Sequence, residues 1–101
     1  MPAYIIVDIA INDPAIYEQY KKLAPPAIAK YGGRYLVRGG TTAPLEGSWK
    51  PERLVILEFR DGETARKWWG SPEYAAAKSL RQTCSSADML LVEGPAFDPS
   101  A

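Results

Sequence analysis

The chain shows two kinds of hydrophobic pattern, one typical of strands and one typical of helices. Apolar runs of strand length, each bounded by turn-forming residues, lie at 3–11, 34–38, 53–60 and 88–93. After Asp13 and Pro14, apolar side chains recur every three or four residues, which indicates an amphipathic helix. Shorter helical patterns follow Asp61 and Ser71. The order strand–helix–strand–strand–helix–strand predicts a ferredoxin-like α+β fold with a four-stranded antiparallel sheet.

Two adjacent prolines modify the first helical pattern. Pro25 and Pro26 fall inside the first helical segment, and because proline lacks an amide hydrogen we expect a kink or a break there.

We find no internal linker, repeat or low-complexity tract. Residues 1–94 are therefore expected to form one domain, and residues 95–101 a C-terminal tail.

Strand alternation divides the predicted sheet into two faces, and large aliphatic side chains lie on both. The residues assigned to the helix-covered face are Ile5, Val7, Ile9, Tyr35, Val37, Val55, Leu57, Phe59, Leu90 and Val92. Those assigned to the opposite face are Tyr4, Ile6, Asp8, Leu36, Arg38, Leu54, Ile56, Glu58, Leu91 and Glu93. A sheet face in water should be mostly polar, so we expect a second copy of the chain to cover it in a two-fold symmetric homodimer. The alternative is a monomer with scattered exposed aliphatic residues.

Four charged residues, Asp8, Arg38, Glu58 and Glu93, are interleaved with the aliphatic residues of that second face. In a dimer they would be partly removed from water, and buried charges need partners. One interpretation is a salt-bridge network that sets the register of the two subunits. The other is a polar ligand site, in which an arginine forms a two-pronged hydrogen bond to a carboxylate.

Composition excludes several classes of function. Twelve basic residues balance twelve acidic ones without a basic cluster, which argues against nucleic acid and gives no reason to expect a membrane surface as partner. The chain has no histidine and a single cysteine, Cys84. We therefore expect no metal site, no cofactor and no intrachain disulfide. With no apolar run of membrane-spanning length and no export signal, a cytoplasmic location is expected.

Aromatic side chains on the helices suit a flat organic ligand, because rings can stack on it and hydroxyl or indole groups can orient it. The alternative is ordinary core packing, which has the same helical spacing. The candidate ligand-binding residues are Asp8, Arg38, Glu58, Tyr20, Trp69 and Tyr74. Trp49, in the loop before the third strand, is expected to cover an open end of the fold or to pack on the partner subunit.

Three segments together cover most of the chain: PAYIIVDIAINDPAIYEQYKKLAPPAIAKYGGRYLVRGG, LEGSWKPERLVILEF and WWGSPEYAAAKSLRQ. They resemble the small bacterial proteins of domain-of-unknown-function family 1330, over about Pro2 to Gly94. The resemblance implies a dimeric α+β barrel and brings no established reaction. Proteins of that superfamily often hold a ligand between sheet and helices, where this chain has Tyr17, Tyr20, Trp68, Trp69 and Tyr74. The histidine ligand of its haem-degrading branch has no counterpart here.

Three functions stay open on these observations. The first is a homodimer that binds a small, partly apolar organic molecule. The second is a cofactor-independent enzyme, an isomerase or monooxygenase, in which a strand carboxylate moves a proton and an arginine stabilises an enolate-like anion. The third is a structural or regulatory dimer without a ligand. Whether the protein is an enzyme is not decided by the residues.

Overall fold

The computed structural model describes residues 1–94, so the tail expected at 95–101 lies outside the described residues. The elements are β1 (Ala3–Ile11), α1 (Pro14–Lys30), β2 (Arg34–Arg38), β3 (Arg53–Phe59), α2 (Gly62–Trp69), α3 (Pro72–Cys84) and β4 (Ser85–Glu93). The strands form one antiparallel sheet in the order β2-β3-β1-β4. The predicted ferredoxin-like α+β fold is confirmed.

Each helix begins at the polar residue that the sequence indicates. The side chains of Asp13, Asp61 and Ser71 accept hydrogen bonds from the backbone amide three residues later, at 3.2, 2.8 and 3.1 Å. These caps satisfy amide groups that have no partner within the helix. None of the helices within residues 1–94 has the length and apolar character needed to cross a bilayer.

The prediction that the first helix breaks at its prolines is wrong, because α1 runs continuously through Pro25 and Pro26. Without an amide hydrogen, Pro25 cannot donate to the carbonyl of Lys21 one turn earlier. Arg38 on β2 supplies the missing donor, since its Nη2 donates to the Lys21 carbonyl at 2.9 Å. Lys22, whose carbonyl Pro26 leaves free, is exposed to water.

One face of the sheet packs against the helices and forms the core with them. Its buried strand residues are Ala3, Ile5, Val7, Ile9, Val55, Leu57 and Phe59. The helices contribute Tyr17, Ala24, Ala27, Ile28, Ala65, Trp68, Tyr74, Ala77 and Cys84. The predicted facing of β1 and β3 is therefore confirmed.

The predicted facing of β4 is wrong. Leu91 pairs with Ile5, whose side chain is in the core, so Leu91 points toward the helices. Leu90 and Val92 instead lie on the uncovered face, where Leu90 is 61% exposed. Because the run from Met89 to Val92 is entirely apolar, it has no alternation of its own, and only its pairing with β1 decides the two sides.

A β-bulge reverses the predicted facing at the end of β2. The register shifts between Tyr35 and Val37, which places one extra residue in this strand. Arg38 consequently lies opposite Val55 on the helix side, and Val37 lies opposite Ile56 on the uncovered face. The predictions for Val37 and Arg38 were wrong because they assumed uninterrupted alternation.

We call the uncovered side of the sheet the open face. It carries Tyr4, Ile6, Asp8, Arg34, Val37, Leu54, Ile56, Glu58, Asp88, Leu90 and Val92. Glu93 is not part of it, although the alternation had assigned it there. Glu93 pairs with the buried Ala3, and its carboxylate lies against Gly62 at the start of α2.

Candidate functional site

The six predicted ligand-binding residues do not come together in one site. Tyr20, Tyr74 and Arg38 lie between sheet and helices, Asp8 and Glu58 lie on the open face, and Trp69 ends α2. The sheet itself separates the first group from the second. The group of four strand charges, Asp8, Arg38, Glu58 and Glu93, is not assembled either, because only Asp8 and Glu58 share the open face.

Two of the three strand carboxylates of the open face, Asp8 and Glu58, have partners within the chain, whereas the exposed Asp88 lies opposite Asp8 on β4. Asp8 Oδ2 accepts a hydrogen bond from the indole Nε1 of Trp49 at 2.9 Å. Glu58 Oε1 accepts one from Nε of Arg34 at 2.7 Å, as part of an ion pair. Each bond joins a β-strand to a neighbouring strand or loop. Asp8 and Glu58 therefore act in this structure as connections within the fold.

The candidate site lies between the sheet and helices α1 and α3, and we call it the cleft. Its floor is apolar and includes Val7, Val55 and Leu57. Its walls and mouth carry Tyr17, Tyr20, Tyr35, Arg38, Arg53 and Arg81. The enclosed space measures about 20 Å³, enough for about one water molecule. An apolar floor with a few convergent polar groups is typical of small-molecule sites.

Two tyrosine hydroxyls and one arginine form a hydrogen-bonded group at the wall of the cleft. The hydroxyls of Tyr20 and Tyr74 are 2.8 Å apart, and Nε of Arg81 donates to the Tyr74 hydroxyl at 3.4 Å. Burial, and next to it the neighbouring Tyr74, raises the pKa of Tyr20 far above its usual range. Burial also raises the pKa of Tyr35. The hydroxyls of Tyr20 and Tyr35 thus stay protonated at neutral pH and can donate hydrogen bonds.

Arg81 is the most deeply buried charge of the cleft, with 6% of its surface exposed. It lies on the buried stripe of α3 with Tyr74, Ala77 and Cys84. Among residues 1–94 it forms no ion pair with any carboxylate. Its Nε contact to a neutral hydroxyl uses one of the five guanidinium N–H groups. A buried cation normally needs more compensation than this.

The other two arginines of the cleft are held by rings and neutral oxygens. Nε of Arg53 donates to the Tyr17 hydroxyl at 3.2 Å, and its guanidinium lies 5.5 Å from the centre of that ring. The guanidinium of Arg38 lies 4.6 Å from the centre of the Tyr35 ring. Gly39, with a φ of 74°, lets Arg53 pass close by, since a Cβ there would overlap its guanidinium.

Trp68 adds a donor without a partner. Its ring is buried between Phe59 and Tyr74, with centroid distances of 5.3 and 4.3 Å. Its indole Nε1 is buried and has no hydrogen-bond acceptor among the described residues. An unsatisfied buried donor costs about 1–3 kcal/mol. Trp68 also lines the cleft.

Trp69 belongs to a different part of the surface. Nζ of Lys78 lies 3.8 Å from the centre of its ring and donates to its backbone carbonyl at 3.0 Å. Trp69 borders a shallow groove between α2 and the edge strand β4, together with Arg66 and Leu91. The structure therefore separates Trp69 from Tyr20 and Tyr74, its predicted companions.

Two residues of the cleft, Arg53 and Arg81, were not among the predicted site residues, although the sequence carries a signal for each. Arg53 stands two residues before Val55, so strand alternation places both on the helix side. Arg81 follows Tyr74 and Ala77 at steps of three and four, which places a charge on the buried stripe of a helix. A charged residue on a predicted core face is the informative signal in both cases.

Comparison with known proteins gives a family and a fold. The family model described as domain of unknown function DUF1330 matches residues 2–95. No match is found among curated proteins. The protein of unknown function RPA0582 from Rhodopseudomonas palustris superposes with a TM-score of 0.77 at 15% identity, over 97% of this chain and 84% of that one.

Two further solved structures share the fold at low identity. A dimeric ferredoxin-like protein of unknown function from Jannaschia sp. CCS1 has a TM-score of 0.70 at 10% identity, over 93% of this chain and 100% of that one. SnoaB, a cofactor-independent oxygenase from Streptomyces nogalater, has a TM-score of 0.57 at 12% identity, over 97% of both chains. The chain belongs to the DUF1330 family, which is a family of unknown function. It has the ferredoxin-like fold that its sequence predicts.

Proposed function

We propose that this protein is a cytoplasmic homodimer that binds a small, partly apolar organic molecule in the cleft. The observation that carries this proposal is the convergence of three tyrosines and three arginines, from four different elements or their ends, over one apolar floor. Aromatic walls bind the body of a planar molecule, and the few polar groups orient it. We infer a cytoplasmic location because a chain with a single cysteine cannot form an intrachain disulfide, which suits a reducing compartment.

The homodimer is supported by the open face. Leu90 is 61% exposed, and Ile6, Ile56 and Val37 continue the same row across the sheet. An apolar surface of this kind is a typical interaction site. Trp49, bonded to Asp8, extends it into the preceding loop. A second copy packed on the open face would cover this surface, and the Jannaschia protein with the same fold is dimeric.

Binding requires that side chains at the mouth of the cleft move, because the enclosed space of about 20 Å³ holds only one water-sized group. Arg38 is the side chain placed to do so. It is exposed, and a single hydrogen bond, to the carbonyl of Lys21, ties it to α1. Exposed hydrogen bonds contribute little net free energy. Arg38 therefore changes position at low cost when a ligand enters.

The enzymatic alternative is less well supported by the cleft. It requires a strand carboxylate in the site as proton acceptor. Asp8 and Glu58 lie on the other side of the sheet, and Glu93 lies beside Gly62. No acidic residue of the described part of the chain lines the cleft. The likeness to the oxygenase SnoaB concerns the fold, and fold alone does not determine a reaction.

A tryptophan-based titration tests the proposal. Trp49→Phe and Trp69→Phe together leave Trp68 as the single tryptophan, inside the cleft. We expect at least one ligand among phenol, benzamide, benzoate and p-benzoquinone to change Trp68 emission saturably, with a matching heat of binding by calorimetry. Matched single substitutions, Tyr20→Phe in the cleft and Tyr31→Phe outside it, should weaken binding only for the former. If no compound binds, the proposal fails and the ligand-free structural dimer is favoured.

A further inference from the structure

We propose that the ligand of the cleft is a small organic carboxylate, and that Arg81 is the residue that binds its carboxylate group. This inference rests on the proposed function, because it specifies the charge of the molecule that the cleft binds. It starts from Arg81 itself. Arg81 is 6% exposed as a residue and has no carboxylate partner in residues 1–94, whereas a buried arginine usually has an acidic partner, which a ligand can supply.

The distribution of charge in the whole chain points the same way. The chain carries equal numbers of basic and acidic residues, yet the described lining of the cleft holds three arginines and Lys21 and no acidic residue. Four of the five ion pairs of the described residues use arginines and lysines outside the cleft. The fifth is the surface pair of Lys21 with Glu18. Such a concentration of one sign of charge attracts an anion.

Hydrogen-bond chemistry narrows the kind of anion. Guanidinium N–H groups are donors only, and Arg38, Arg53 and Arg81 bring three guanidinium groups to the lining of the cleft. Tyr20 and Tyr35 keep their protons and can donate as well. A site lined by donors matches a group that only accepts, and an ionised carboxylate is such a group. Two oxygens on one carbon also fit the planar, forked guanidinium.

The position of Arg81 distinguishes it from Arg38, the arginine chosen from the sequence. Arg38 lies at the exposed mouth and already donates to the Lys21 carbonyl. Arg81, by contrast, is buried, lines the same cleft and donates to the Tyr74 hydroxyl. A ligand that places its carboxylate on Arg81 can leave its apolar part against the tyrosines. Arg81 is therefore the residue that determines specificity for charge.

The test compares each acid with its neutral amide of nearly the same shape. Benzoate with benzamide, and crotonate with crotonamide, are titrated by calorimetry against the native protein at pH 7. We expect each acid to bind at least 10-fold more tightly than its amide. If an amide binds as tightly as its acid, the inference is wrong while the proposed function stands. If neither member of either pair binds, the inference is wrong, and the proposed function is wrong as well unless phenol or p-benzoquinone binds.

Substitutions assign the effect to Arg81. Arg81→Met should weaken acid binding at least 10-fold and leave amide binding within twofold, whereas Arg60→Met, at an exposed arginine away from the cleft, should change neither. Because removing a buried unpaired charge can stabilise a protein, we also expect a higher melting temperature for unliganded Arg81→Met. Unchanged acid affinity in this variant would overturn the assignment. If it does not fold, the acid–amide comparison on the native protein still decides the charge of the ligand.

Discussion

At the scale of single residues, the contact between Arg38 and the carbonyl of Lys21 shows how one side chain can compensate for a proline. Pro25 has no amide hydrogen to give to that carbonyl, and Nη2 of Arg38 donates to it at 2.9 Å. The helix therefore keeps this carbonyl satisfied although two prolines follow one another. The contact also explains why α1 is continuous where the local sequence favours an interruption.

A double-mutant cycle tests this compensation. In the native background, Arg38→Met should lower the free energy of unfolding by roughly 0.5–1 kcal/mol, the net contribution of an exposed hydrogen bond. In a Pro25→Ala background the alanine amide can donate to Lys21 in the ordinary helical way, so the same substitution should have almost no effect. Urea unfolding of the four proteins gives the coupling.

Arg34→Met provides the control for this cycle. Arg34 is also on β2 but pairs with Glu58 on the open face, so its effect should be the same with and without Pro25. Equal losses for Arg38→Met in both backgrounds would show that the arginine does not replace the missing amide.

Part of the cleft can be predicted from residue types and spacing, and part cannot. Tyr20, Tyr74 and Arg38 were selected from the sequence, and Arg81 could have been, because it interrupts a buried helical stripe. The partners of Asp8 and Glu58 could not. Trp49 lies 41 positions from Asp8 and Arg34 lies 24 from Glu58, and only the folded sheet brings these pairs within hydrogen-bonding distance.

At the scale of elements, the sequence specifies helix starts and strand positions better than it specifies which side of the sheet a strand presents. Polar caps and prolines mark the helix starts locally, within three residues. The side presented by β4 depends on its register with β1, and the side presented by Arg38 depends on one bulge in β2. A shift by one residue reverses every side chain that follows it, so these two features account for the wrong facing of Val37, Arg38, Leu90 and Leu91.

The turn from α1 into β2 uses two adjacent glycines for different reasons. Gly32 has a φ of 72° and open space around it, whereas a Cβ on Gly33 would lie 2.5 Å from the Phe59 ring. We expect Gly33→Ala to lower the free energy of unfolding by roughly 2–3 kcal/mol, because the core must shift to admit the methyl group. Gly32→Ala should cost about 1 kcal/mol through backbone strain alone.

An asparagine substitution separates these two causes. Gly32→Asn should be nearly neutral, since asparagine tolerates the left-handed conformation, while Gly33→Asn should be at least as harmful as Gly33→Ala. Urea denaturation measures all four variants. Equal losses at the two positions would contradict the close approach of Phe59 to Gly33.

At the scale of the whole molecule, the sheet separates two surfaces with different roles in our proposal. The helix side contains the core and the cleft, where the arginines and tyrosines converge. The open face carries aliphatic residues and charged ones, of which Asp8 and Glu58 are paired within the chain. Because Asp8 and Glu58 are already paired within the chain, a second copy can cover these two carboxylates by apolar contact without leaving them uncompensated.

A single lysine on the open face should therefore prevent dimer formation. Leu90→Lys places a charge on the open face, within the proposed interface, where it would be desolvated without a partner. Leu23→Lys is the matched control, because Leu23 is a similarly exposed leucine, 48% against 61%, but lies on α1 on the opposite side of the sheet. We expect light scattering after size exclusion to give the monomer mass for Leu90→Lys and the dimer mass for the native protein and Leu23→Lys. Ile56→Lys, on the neighbouring β3, should behave as Leu90→Lys does. A native monomer would contradict the homodimer, and a dimer that survives both open-face substitutions would place the interface elsewhere and leave the exposure of Leu90 without an explanation.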